Sequence, residues 1–338
     1  MKIITHKIGN KINGEGVSFA DEQLQLDESM FDLFGNYFLG AFKTEETYHF
    51  YSESYLINNP LFSLVSAIFE NSNTLIYNSK NIGQLLYEAA ESPRVQSGEL
   101  FVVFFKAENE NDVDKIGIFK TEKKESFFNV VQWNNPRNAS DIRIETEKGF
   151  SFNKIDKAAL IYNKDRETGY VLQVVDNNKN GDMYYWFEDF LKVKQRADDY
   201  FHTQESLTVF KEYIRKQLPV EFEVSKADQA DFLNKSINFF KEKEEFNLEE
   251  FNNEVLGDEK VIESFNAFKT DYEQDMQINI SEEFPISISA VKKSQSKFKS
   301  IIKLDKNFHV YIHGDRNKIT QGQDENGIFY KLYYEKEQ

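Results

Sequence analysis

Five lysines crowd the stretch Lys292 to Lys303, namely Lys292, Lys293, Lys297, Lys299 and Lys303, and no acid interrupts them. Ser294, Ser296 and Ser300 lie between. Ammonium and hydroxyl groups at this density are the chemistry of phosphate contact, in which cations displace condensed counterions and hydroxyls add hydrogen bonds. Lys306, Arg316 and Lys318 extend the stretch, and from Phe284 to Thr320 eight bases face two acids, a balance of +6. A reading without a ligand carries equal weight, because lysines also neutralise acidic neighbours and blunt exposed strand edges. Such neighbours are present: Glu221 to Glu283 holds eighteen acids against six bases, or −12. A weaker basic cluster, Lys192, Lys194 and Arg196 followed by Lys211, Arg215 and Lys216, is largely offset by Asp198, Asp199, Glu205 and Glu212. It reads as a solvated helix face.

Other chemistry is poorly supplied. With no cysteine, disulfides, thiolate zinc sites and cysteine nucleophiles are excluded. A metal or general-base site must draw on His6, His49, His202, His309 and His313. His309 and His313 would share a strand face about 13 Å apart, too far to hold one ion alone. Asp176, Asn178, Asn180 and Gly181 imitate the first, third, fifth and sixth positions of a calcium loop, but Phe187 occupies the twelfth, where a bidentate Glu is required. Glu188 comes one residue late. No Walker loop, dinucleotide fingerprint, nucleophile elbow or His-Glu-x-x-His pattern occurs. The expectation is therefore no catalytic residue, no metal and no cofactor. The first residues lead to no apolar run with a small-residue cleavage site, and no segment approaches eighteen apolar residues. That points to a cytoplasmic protein with no membrane partner. Net charge is −16 at pH 7, which opposes a polyanion at long range unless cations gather on one surface.

The elements that must position these residues fall into two halves. Ile3 to Ile8 and Gly16 to Leu26 read as a hairpin around Asn13-Gly14. Phe31, Phe34, Phe38 and Phe42 recur at helical spacing; Pro60 opens a second helix, and Ile82 to Glu91 forms a third, stopped near Pro93. Then the period shortens. Apolar runs at Leu100–Phe105, Ile116–Phe119, Phe127–Val131, Ile142–Glu145, Ala158–Tyr162 and Val171–Val175 describe antiparallel strands. From Tyr184 to Phe201 one aromatic-capped helix is expected, with Phe190, Val193, Ala197 and Phe201 along its buried face beside Trp186. A second helix carries Leu207, Phe210, Ile214 and Leu218 and stops at Pro219; Ser225 caps a third, and two more lie near Leu248 to Val255 and Lys260 to Tyr272. Strands return at Ser300–Leu304, Phe308–Ile312 and Phe329–Tyr333. The fold class is thus α+β, with an N-terminal antiparallel sheet and helices over residues 1–178, then a helical region with a short C-terminal antiparallel sheet over 179–338.

Four blocks stand in a suggestive order: Ser151 to Asn163, Tyr184-Tyr185-Trp186-Phe187-Glu188-Asp189-Phe190-Leu191, Ser281 to Ile286, and Ile328-Phe329-Tyr330-Lys331-Leu332. In this order the chain resembles the NdpA-type family of bacterial nucleoid-associated proteins. The resemblance implies association with the nucleoid and assigns no chemistry. Three readings stay open. DNA is bound directly and without sequence preference through Lys292 to Lys318; or an acidic interaction module reaches the nucleoid through a basic partner protein; or the chain is an unrecognised enzyme. A two-fold homodimer is the common assembly for a soluble bacterial protein.

Overall fold

The structure is a computed structural model that describes residues 1–134, 140–178, 184–298, 301–304, 306–311 and 316–336. Two compact units divide the chain, Met1–Arg196 and Ala197–Gln338.

Near-continuous apolar runs build the first unit around a sheet buried on both faces. Its elements are β1 (Lys2–Ile8), β2 (Val17–Ser18), α1 (Glu28–Leu39), β3 (Tyr48–Phe50), α2 (Pro60–Glu70), α3 (Leu75–Ala89), β4 (Gly98–Phe105) and β5 (Lys115–Thr121). There follow β6 (Glu125–Asn134), β7 (Ser140–Gly149), β8 (Lys157–Tyr162), β9 (Val171–Asp176) and β10 (Val193–Gln195). Eight strands form one antiparallel sheet in the order β10-β3-β9-β8-β5-β4-β1-β2. Along β4, Leu100 and Val102 face the core made with α2 and α3. Phe101 and Val103 face the opposite core, closed by Phe38 of α1. The α+β class and the N-terminal antiparallel sheet read from the sequence are both present. β6 and β7 pair only with each other.

Two sequence expectations change here. The second strand of the first hairpin is Val17–Ser18 rather than Gly16 to Leu26. The expected helix from Tyr184 to Phe201 is three elements. A π-helical turn, Tyr185–Leu191, buries Trp186 and Phe190, then Lys192 adopts the left-handed region at φ 53° and ends it. Val193–Gln195 next pairs with β3 as the sheet's edge strand, Ala197 is exposed, and Phe201 lies buried in the next helix. The helical spacing of Phe190, Val193, Ala197 and Phe201 was coincidence, because one residue in the left-handed region reverses the chain.

The second unit is helical, with small hairpins. It contains α4 (Asp199–Glu212), α5 (Leu218–Glu221), α6 (Lys226–Glu242), β11 (Glu245–Asn247), α7 (Leu248–Phe251) and α8 (Glu259–Met276). The remaining elements are β12 (Glu283–Pro285), α9 (Ile288–Gln295), β13 (Ile301–Leu304), β14 (Phe308–Tyr311), β15 (Ile319–Asp324) and β16 (Gly327–Leu332). Leu207, Phe210, Phe240, Phe251 and Phe265 centre its core. Pro219 does not stop the second helix where expected. Between α4 and α5 the backbone widens into a π-helical turn, Tyr213–Gln217. A proline nitrogen cannot donate to the carbonyl four residues back, and its ring crowds that carbonyl, so the preceding turn loosens instead of ending. Ser225 does cap α6, in a reciprocal capping box with Asp228.

Candidate nucleic-acid interface

The C-terminal lysines are presented by alternately anchored segments. Ser287 caps α9 by accepting from the Ala290 amide. Val291 and Ser294 turn inward, which leaves Lys292 and Lys293 facing out. A 3-10 turn, Ser296–Phe298, follows and is anchored by buried Phe298, so Lys297 is exposed. On β13, buried Ile302 puts Lys303 on the outward face by simple alternation.

These segments border a groove of about 580 Å³, whose lining includes Arg215, Lys226, Gln229, Leu233, Lys297 and Lys303. None of its lining residues is acidic. Arg215 comes from the π-helical turn, and its guanidinium donates to the Lys297 carbonyl at 3.2 Å, tying the two walls together. Burial lowers the Lys211 pKa; Glu212 opposes that, while the Arg215, Lys297 and Lys216 charges push it further down. The like charges of the central helix and the tail therefore feel one another. Glu212 is the local counter-charge, 2.5 Å from Lys216 and 4.0 Å from Lys211.

Not every expected cation reaches this surface. Arg316 pairs with Asp228 at 2.7 Å, and it also donates to the Ile319 carbonyl, fastening the C-terminal hairpin to the capped end of α6. Lys318 pairs with Glu335 at 2.8 Å. The Lys293 ammonium lies 5.5 Å from the centre of the Tyr200 ring. Lys292 and Lys306 are exposed, while Lys299 lies outside the described residues, as does His313. The weaker cluster divides. Lys194 sits 3.6 Å above the Tyr51 ring and Arg196 pairs with Asp165 at 2.9 Å, both within the first unit. Arg215 instead joins the groove. Sequence reasoning missed Arg215 and Lys226 as partners of Lys297 and Lys303, because helical spacing showed only their own faces.

The first unit holds a second set of ionisable groups, wholly buried. Lys120 meets Glu122 at 2.9 Å and the Tyr185 hydroxyl at 3.0 Å, and Lys157 meets Asp176 at 2.6 Å. The Asn178 amide donates to Glu122 at 2.6 Å, and Asp156 accepts from the Glu122 and Lys123 amides. Burial lowers the Lys120 pKa against the pull of Glu122, and burial raises that of Tyr185, which stays a phenol. Each cation is matched to a carboxylate, as a buried charge requires. This set therefore staples β5, β8 and β9 to the π-helical turn. It also takes Asp176 and Asn178, the first and third positions of the calcium-loop lookalike; residues 179–183 of that loop lie outside the described residues.

The model of the family described as nucleoid-associated protein YejK matches residues 4–330. The chain belongs to this family. The match takes in both units, with the groove inside it. No curated protein matches the chain. Among the described residues, no helix is long and apolar enough to cross a membrane.

Proposed function

We propose that this member of the nucleoid-associated protein YejK family binds nucleic-acid phosphates directly, in the groove lined by Arg215, Lys226, Lys297 and Lys303. Lys292 and Lys306 are exposed cations of the same C-terminal segment, and Arg316 fastens the β15–β16 hairpin to the capped end of α6. Binding is weak and largely blind to sequence, and the protein works as a homodimer at the cytoplasmic nucleoid without enzymatic chemistry. The observation that carries this reading is convergence: four cations from separate segments line one acid-free groove on a chain of net charge −16. A polyanion repelled elsewhere is guided to such a surface.

The test is a salt-dependent DNA titration of the parent and of Arg215→Ala/Lys297→Ala/Lys303→Ala. Log affinity should fall with log salt by about 0.9 per phosphate neutralised on duplex DNA. The triple variant should weaken binding uniformly across sequences and flatten the slope by about one unit for each phosphate it no longer neutralises. A variant that binds like the parent would move the assignment to the acidic segment Glu221 to Glu283 and a basic partner protein.

A further inference from the structure

β6 and β7 leave the sheet as a two-stranded ribbon, ten residues on each strand, paired from Glu125 opposite Gly149 to Asn134 opposite Ser140. Its register places Phe128 opposite Thr146, Val130 opposite Ile144 and Gln132 opposite Ile142. Alternation puts those six residues on one face. Phe128 is 76% exposed, Val130 65%, Ile142 73% and Ile144 69%, and none belongs to a core of the first unit. The reverse face is mixed, with Phe127 opposite Glu147, Asn129 opposite Glu145 and Val131 opposite Arg143, so charged groups of β7 interrupt it while the first face has four bulky apolar residues in a block. A continuous apolar block on one face, against a face broken by charges, is the pattern of a strand pair packed on one side. An isolated hairpin is marginal in water, so this ribbon gains from being covered.

We infer that a second copy of this chain covers it, the two ribbons packing apolar face to apolar face about a two-fold axis. This deepens the dimeric half of the preceding proposal and is independent of the groove. Charge selects the occupant. Two chains of net charge −16 repel each other over most of their surface, but the face made by Phe128, Val130, Gln132, Ile142, Ile144 and Thr146 carries no charge. Symmetry fits as well, because each strand supplies two of the four bulky residues and an isologous contact must complement itself. Area is sufficient: side chains of this size at these exposures offer on the order of 500 Å² per copy. Two faces then remove roughly 1,000 Å², the floor for a specific interface. Nucleic acid is the wrong occupant, since none of these six residues is a cation and phosphate contact needs cations.

Sedimentation equilibrium on the full chain tests this. The parent should be a dimer, and Phe128→Glu/Ile144→Glu should be a monomer with an unchanged far-ultraviolet spectrum. A monomeric parent overturns both the dimer and the ribbon, whereas a dimeric parent with an equally dimeric variant overturns the ribbon alone. Should the charged variant fail to fold, thiol cross-linking decides, because the chain has no cysteine of its own. A short bismaleimide should join two copies of Val130→Cys and leave Glu145→Cys, on the reverse face, as monomers. The opposite pattern, or no difference between them, rejects the assignment. Phosphate binding by the groove is read separately in the salt titration, so the two proposals fail independently.

Discussion

His6 shows how one side chain in the first unit makes stability depend on pH. It is buried on β1; its Nδ1 accepts from the Ala20 amide at 3.1 Å, so Nε2 carries the proton and donates to the Ser79 hydroxyl at 2.9 Å. Burial, reinforced by the Lys80 charge, depresses its pKa from 6.5 to about 4. Between those values the unfolded chain binds a proton that the folded chain refuses. The contribution is therefore complete above pH 6.5 and shrinks as pH falls toward 4, with about 2 kcal/mol gone by pH 5. Urea melts at pH 7 and pH 5 should show this loss in the parent and a smaller one in His6→Gln. Equal losses in the two proteins would remove His6 as the cause. Lys120 differs in kind: Glu122 matches its charge inside the fold, so with the neutral Tyr185 phenol it staples elements together rather than senses the solvent.

Among elements, the junction between α2, β3 and the π-helical turn turns on Asn59. Its side-chain oxygen accepts from the Leu61 and Phe62 amides and so caps α2. Its amide nitrogen donates to the carbonyls of Tyr51, Leu191 and Lys192 at 3.1, 3.3 and 3.1 Å. Asn59→Asp keeps the cap and loses every donor, which separates the two roles. Since a buried carbonyl without a partner costs about 1–3 kcal/mol and a cap about 1, Asn59→Asp should destabilise nearly as much as Asn59→Ala. A near-neutral Asn59→Asp in denaturant melts would show that the cap alone matters. The start of α2 was legible because Pro60 marks a first helical position, and β4 and β5 were legible because long apolar runs bounded by polar turns leave few alternatives. β3, β10 and β12 were not. Three residues cannot display a period of two, and β10 depends on Lys192 turning left-handed, which no side-chain pattern announces. The groove was legible by half: Lys297 and Lys303 stood out as an excess of bases, whereas Arg215 and Lys226 become their neighbours only through tertiary folding.

At the scale of the whole molecule, each unit has its own apolar core, and each is expected to lose that core at its own denaturant concentration. Tryptophan emission and far-ultraviolet circular dichroism, which is weighted toward the helical second unit, should then give separate transitions; coincident curves would mean that the chain unfolds as one cooperative body. The choice of probes follows from where the indoles fall. The chain has two tryptophans; Trp186 is sealed in the core behind the sheet, Trp133 lies in β6, and both precede Ala197, where the second unit begins. Excited in the tryptophan band, the second unit is dark. Intrinsic fluorescence will report the first unit and the ribbon while staying blind to whatever enters the groove. An indole placed there by Ile301→Trp, in the groove's own lining, would give the groove a light of its own.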